Sequence, residues 1–231
     1  MYKSSRRSVL IGAALTAPLL VLSGCATVGL GGGPEEGLRR LLEISSQRAL
    51  TRLVTDNGYL NDVDARIALP AGAGDRSAAV LGALLRSVPV QRELTLLVNQ
   101  AASEAADRAA PLVYDSIRSL TFSDAIGIVR GGPTAATSYL ERSIGDRIID
   151  AMLPEVGGVL RQLDDRSILG PVLGAATGID IPALQRTVAR QAAQGLWRAI
   201  GREEASIRAA PSTADDPLVE GLLNGSRLLG G

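Results

Sequence analysis

Apolar residues recur every three to four positions along most of the chain, which predicts a succession of amphipathic helices. From residue 36 to 54, Leu38, Leu41, Leu42, Ala49 and Leu53 fall on one face, and Asp56-Asn57-Gly58 supplies a stop. Asp75 is placed to cap a helix over residues 77–88, and residues 90–108 carry Leu94, Leu97, Val98, Ala101 and Ala105 on a helical period. Pro111 is placed to open the next helix, to Leu120. Thr121 or Ser123 can cap a short helix ending at Val129, before Gly131-Gly132. Thr134 begins a helix to about Leu153, where Pro154 bends or restarts it. Residues 168–178 are ambiguous. Pro182 begins the longest helix, to about Arg208, and Pro217 opens a short terminal one.

Two snippets break the helical pattern. Ile67-Ala68-Leu69-Pro70 and Ile179-Asp180-Ile181-Pro182 each alternate apolar with small or polar residues before a proline, and they are suited to pair as a tiny ribbon. The expected fold is all-α, a single-domain multi-helix bundle with at most one two-stranded β-ribbon.

The apolar run over residues 9–22 is of another kind. It is shorter than the about 20 residues a spanning helix needs, Lys3, Arg6 and Arg7 precede it, and Leu22-Ser23-Gly24-Cys25 follows. This is the layout of a signal peptide over residues 1–24. Its end resembles a lipobox, which implies that Cys25 becomes the acylated first residue of the mature chain. Ala26 lacks the aspartate that often retains lipoproteins in the inner membrane, so an outer-membrane anchor facing the periplasm is expected. Ser5-Arg6-Arg7-Ser8-Val9-Leu10 resembles a twin-arginine export signal. Val9 and Ile11 depart from its usual phenylalanine and lysine, so general secretion stays open. Residues 25–35, with Gly-Leu-Gly-Gly-Gly at 29–33, then form a flexible tether. The helical domain covers residues 36–224, and a tail of residues 225–231 closes the chain.

Composition narrows the chemistry. Hydrophobic residues make up 46% of the chain and aromatics 3%, so the core must be aliphatic. Loss of residues 1–24 removes three of the 24 basic residues and none of the 24 acidic ones, leaving a net charge of −3. That balance argues against a nucleic-acid partner. A single cysteine allows no internal disulfide. The absence of histidine removes Ser-His-Asp and Cys-His catalysis and every imidazole metal site. No metal or cofactor is expected.

Two loops look chemical. The acidic stretch at 56–64 suggests calcium, but with Gly58 as the loop glycine the ligand positions fall on Leu53 and Thr55, so a capped turn is expected. Gly131-Gly132-Pro133-Thr134 lacks the lysine of a phosphate loop and reads as a helix-to-helix turn.

On the long helix, Leu184, Val188, Ala192, Leu196 and Ile200 form an apolar stripe, while Arg186, Arg190, Gln194, Arg198 and Arg202 form a second one, expected to be a solvated face in preference to a phosphate-binding surface. At about 100° per residue, Glu203 falls inside the apolar arc and Glu204 at its margin. The same arithmetic puts Arg142 between Ile149 and Leu153. A carboxylate aimed at the core needs a partner, so Glu203 and Arg142 are expected to form one buried or cleft-lining pair.

Six stretches carry a family resemblance: DNGYL at 56–60, IALP at 67–70, PLVYDSI at 111–117, SDA at 123–125, GGPTAATSY at 131–139 and GLWRAIGREEASIR at 195–208. Together they resemble the bacterial exported proteins grouped as domain-of-unknown-function family 4197, over nearly all of residues 37–224. Trp197 and Gly201 stand where that family commonly has phenylalanine and alanine. The resemblance implies a periplasmic or lipid-anchored helical protein of Gram-negative bacteria and supplies no catalytic residues. Its motifs single out Asp115, Asp124, Tyr139, Arg142, Glu203 and Glu204 as candidate binding or buried polar residues.

Two functions fit. One is a lipid-anchored, periplasm-facing, non-catalytic binding or structural module whose helical groove takes an envelope protein, a lipid or a wall component. The other is a carboxylate-dependent hydrolase with glycosidase-like chemistry, using Glu203 with Asp115 or Asp124 as acid and base.

Overall fold

The computed structural model describes residues 33–68, 88–123, 125–166 and 181–228. Several expectations fall on residues outside these: the signal peptide with Arg6 and Arg7, Cys25, nearly all of the tether, the helix over residues 77–87, the ambiguous stretch at 168–178, and Asp124.

Eight α-helices and one 3-10 turn make up the described residues, with no strand among them. In chain order they are α1 (Pro34–Leu53), α2 (Gly58–Asn61), α3 (Val88–Ser119), α4 (Ala125–Val129), α5 (Ala135–Ile144), α6 (Arg147–Arg166), α7 (Ile181–Ala209), the 3-10 turn (Pro211–Ala214) and α8 (Pro217–Leu228). Residues Gly32–Gly231 form a compact unit of their own.

Each long helix follows from its pattern. In α1, Pro34 opens the first turn, Glu35 and Glu36 complement its positive end, and Leu38, Leu41, Leu42, Ala49, Leu50 and Leu53 are buried. Left-handed Asn57 (φ 60°) and Gly58 turn the chain after it. A Cβ on Gly58 would lie 2.3 Å from the Leu53 carbonyl oxygen, so only glycine fits. The core joins α1, α3, α6 and α7 through aliphatic side chains. Ala101, Ala102, Ala105, Ala106 and Ala109 of α3 and Ala189, Ala192, Ala193 and Ala199 of α7 are buried, and such short side chains let the helices approach closely. Cross-chain contacts fix the direction of two neighbours. Arg52 meets Glu203 while Arg48 reaches the Thr213 carbonyl, so α1 runs antiparallel to α7. Arg39 reaches the Leu120 carbonyl just past α3, so the start of α1 lies by the end of α3.

Three local expectations are corrected. Pro111 and Pro154 neither open nor break a helix; both lie inside, in α3 and α6. Each proline is exposed, as are Asp107 and Asp150, whose carbonyls lose the partner that the proline nitrogen cannot supply. Water can take those carbonyls, and the buried faces of the two helices continue uninterrupted. The break between residues 134 and 153 comes instead at Gly145, with φ 58°, which ends α5 two residues before α6 begins. Finally, Ile67 is not in a strand. Asn99 of α3 donates to its carbonyl at 3.1 Å and accepts from its N–H at 2.9 Å, doing the work of a strand partner with one side chain. On the other side of the expected ribbon, Ile181 and Pro182 open α7.

Candidate functional site

The motif GREEASIR lies in the last turns of α7 and the motif GGPTAAT in the turn between α4 and α5 and the first turn of α5; Glu204 joins them. Its side chain is fully buried. One oxygen accepts the Ala136 N–H at 3.0 Å and the Arg208 Nε–H at 2.7 Å. The other accepts the Thr137 N–H at 2.7 Å and the Thr137 hydroxyl at 2.6 Å. Ala136 and Thr137 are in the first turn of α5, whose own N-cap, Thr134, contributes no side-chain cap. A carboxylate from another helix therefore caps α5, and charge and helix dipole are matched.

Arg208 completes the other half. Its terminal nitrogens donate to the carbonyls of Val129 at 2.8 Å and Ile128 at 3.1 Å, the last turn of α4. The Glu204–Arg208 pair thus places an anion at one helix start and a cation at the preceding helix end, and so fixes the turn at residues 130–134. Gly131 permits that turn, because a Cβ there would lie 2.7 Å from Ala135 Cβ. Beside it opens a depression of about 470 Å³ lined by Val129, Arg130, Gly131, Pro133, Arg208, Leu223 and Ser226.

Chemically, this arrangement holds rather than reacts. An ionised carboxylate offers about four acceptor sites, and the four bonds above occupy them. No lone pair of Glu204 is left to take a proton from a substrate.

The expected Glu203–Arg142 pair does not form. Glu203 is nearly buried, as its place in the apolar arc predicts, but it accepts from Arg52 of α1 at 2.6 Å. Arg142 is exposed. The angular placement holds only for one continuous helix over residues 134–153, and the Gly145 break puts Arg142 and Ile149 on different helices. The remaining described motif residues each make contacts of their own. The Tyr139 hydroxyl donates to the Thr121 carbonyl at 2.7 Å, with its ring 5.4 Å from that of Phe122. Asp115 is exposed and pairs with Arg118 on its own helix. Glu203 and Asp115 thus bind different arginines, and Asp124 lies outside the described residues.

Three polar clusters escaped the sequence pattern. Asp62 and Asp64, from the acidic loop, both bind Arg202 of α7. Asp62 also accepts the N–H groups of Asp64 and Ala65, each at 3.0 Å. Burial works against its charge, but Arg202 and these N–H groups outweigh it and hold the carboxyl below its ordinary pKa. Asp216 caps α8 through the N–H groups of Leu218 and Val219 and accepts two bonds from Arg40. There too burial is outweighed by the backbone and guanidinium donors, and the pKa falls. Tyr59 is fully buried and donates to the Ala192 carbonyl at 2.9 Å. Desolvation, reinforced by Asp62, pushes its phenol pKa up. An aspartate directly before a helix-opening proline was a readable signal for Asp216; nothing local marks the partners of Asp62 or Tyr59.

Among the described residues no three His, Cys, Asp or Glu side chains cluster as a metal would require. None of the described helices is long and apolar enough to cross a membrane. A family model described as "Protein of unknown function (DUF4197)" matches residues 33–223. No curated protein and no solved structure matches the chain.

Proposed function

We propose, for a chain that belongs to the DUF4197 family of proteins of unknown function, that it is a lipid-anchored envelope protein facing the periplasm, with a helical domain that works as a non-catalytic binding or structural module. The observation that carries the non-catalytic reading is the saturation of Glu204. The most buried carboxylate of the family motifs has its acceptor sites filled by α5 and Arg208, which leaves it to hold the fold. The location rests on sequence: a positive start, a short apolar run and Leu22-Ser23-Gly24-Cys25.

Cell fractionation tests the location. Cys25→Ala should move the protein out of the detergent-extracted membrane fraction, and changing Arg6 and Arg7 to lysine should block export while expression continues. Retention of the Cys25→Ala chain in the membrane after a high-salt wash, with residues 1–24 removed, would overturn the anchor, and unchanged processing of the lysine variant would assign export to general secretion. Affinity capture from solubilised envelopes then tests the module. Enrichment of one envelope protein, lipid or wall component supports it, whereas turnover of a glycan substrate by the purified chain contradicts it.

A further inference from the structure

From Ile181 to Arg202, α7 contains no aspartate or glutamate. On its outer side Arg186, Arg190, Gln194 and Arg198 are all exposed and follow one another at four-residue intervals. Arg202, next in the row, is neutralised by Asp62 and Asp64. Arg198 donates its Nε–H to the Asp64 carbonyl at 2.7 Å, and Arg66, exposed on the same loop, donates its Nε–H to the Leu60 carbonyl at 2.8 Å. Those bonds orient the two guanidinium groups and leave their charge uncompensated. Arg66, Arg186, Arg190 and Arg198 have no carboxylate partner among the described residues.

This cationic row stands on a chain that is net acidic once residues 1–24 are gone. From Arg186 to Arg198 it extends about 18 Å along the helix axis. It winds through about 120° over that distance, which long, flexible arginine stems can span. The row is convex, on the outside of a helix, so it cannot enclose a small anion. Its shape suits many phosphates spread over a surface, each met by a planar guanidinium fork.

We propose that this face of α7, with Arg66, docks on an anionic phospholipid surface. Nucleic acid, the competing polyanion, is disfavoured by the net acidity of the mature chain and by the burial of its single tryptophan, Trp197. The inference builds on the membrane-anchored reading: the nine residue steps from Cys25 to Pro34 can reach at most about 32 Å, which keeps an anchored domain close to the headgroups.

The test is vesicle flotation of a chain that begins at residue 25 and carries Cys25→Ser, so that it keeps the compact unit Gly32–Gly231 and has no acyl group. Vesicles of phosphatidylglycerol with phosphatidylcholine are compared with phosphatidylcholine alone, at low and at physiological salt. Partitioning should be about a hundredfold or more stronger on the anionic vesicles, weaken with salt, and fall about fivefold for each arginine changed to glutamine. The variant with all four changed should lose the preference while melting like the parent. Equal partitioning on both vesicle types, no partitioning, an unaffected fourfold variant, or preference for a duplex oligonucleotide over the anionic vesicles would each overturn the proposal. Failure here leaves the Cys25 anchor standing, and an unacylated wild type leaves this result untouched, so the two readings fail separately.

Discussion

Glu204 and Arg208, one turn apart on α7, meet at 2.7 Å and each finishes a different helix: the carboxylate caps the start of α5 and the guanidinium the end of α4. Both are almost wholly buried, at 0% and 10% side-chain exposure. Removing one partner leaves the other charged and largely shielded from water. Glu204→Gln and Arg208→Met should therefore each cost about 3–5 kcal/mol in denaturant melts. The double variant should cost clearly less than their sum. Additivity to within about 0.5 kcal/mol would mean that the two side chains act independently.

The Glu203–Arg52 pair should matter less. Arg52 is 48% exposed but Glu203 only 12%, so water screens one half of the interaction, and Arg52→Met should cost about 1–3 kcal/mol, less than either change at the Glu204–Arg208 pair. Arg142→Met should fall within about 0.5 kcal/mol of the wild type, as an exposed substitution without partners among the described residues. A larger loss at Arg142 than at Arg52 in the same melts would contradict the pairing described above.

Much of the fold was legible because the core is aliphatic and periodic. The run of Leu38, Leu41, Leu42, Ala49 and Leu53 and the stripe from Leu184 to Ile200 place α1 and α7 within two residues of their observed ends. Pro111 and Pro154 misled because local pattern does not reveal which face of a helix a proline occupies. Gly145 lacked any neighbouring breaker to draw attention to it. The angular arithmetic found that Glu203 is buried but not which cation meets it, since Arg52 is 151 residues away in sequence. The Glu204–Arg208 spacing of four was readable as an ion pair. Its capping of α5 was not, because that depends on how α7 crosses the turn at residues 131–134.

Two glycines should respond oppositely to alanine. A Cβ on Gly58 would lie 2.3 Å and 2.4 Å from the Leu53 and Arg52 carbonyl oxygens, which are backbone atoms and cannot swing away, so Gly58→Ala should cost about 1–3 kcal/mol or more. On Gly201 the nearest atom is the terminal methyl of exposed Thr134, at 3.1 Å. Gly201→Ala should be neutral or stabilising by up to about 1 kcal/mol through helix propensity. Thermal melts of the two variants give the comparison, and the reverse ranking would contradict the described packing of α7 on the turn.

Stability should fall at both ends of the pH scale for different reasons. Asp62 and Asp216 have folded pKa values below the ordinary 3.8, so their contribution is complete above that value and is lost as pH falls through the lower, folded one. Tyr59 has a folded pKa above the ordinary 10.0, so its contribution is complete below pH 10 and is lost as pH rises beyond it. Denaturant midpoints measured against pH should show that Asp62→Asn and Asp216→Asn flatten the acid limb, while Tyr59→Phe delays the alkaline one. An acid limb that the two asparagine variants leave unchanged would remove these carboxylates from the account.

Acylation of Cys25 is read from the intact mass of the chain purified from membranes of its own host. The expected species is a mature protein that begins at Cys25, lacks residues 1–24 and carries the added mass of a lipid on that cysteine. A chain that retains residues 1–24, or one that begins at or after residue 25 without lipid, would contradict it.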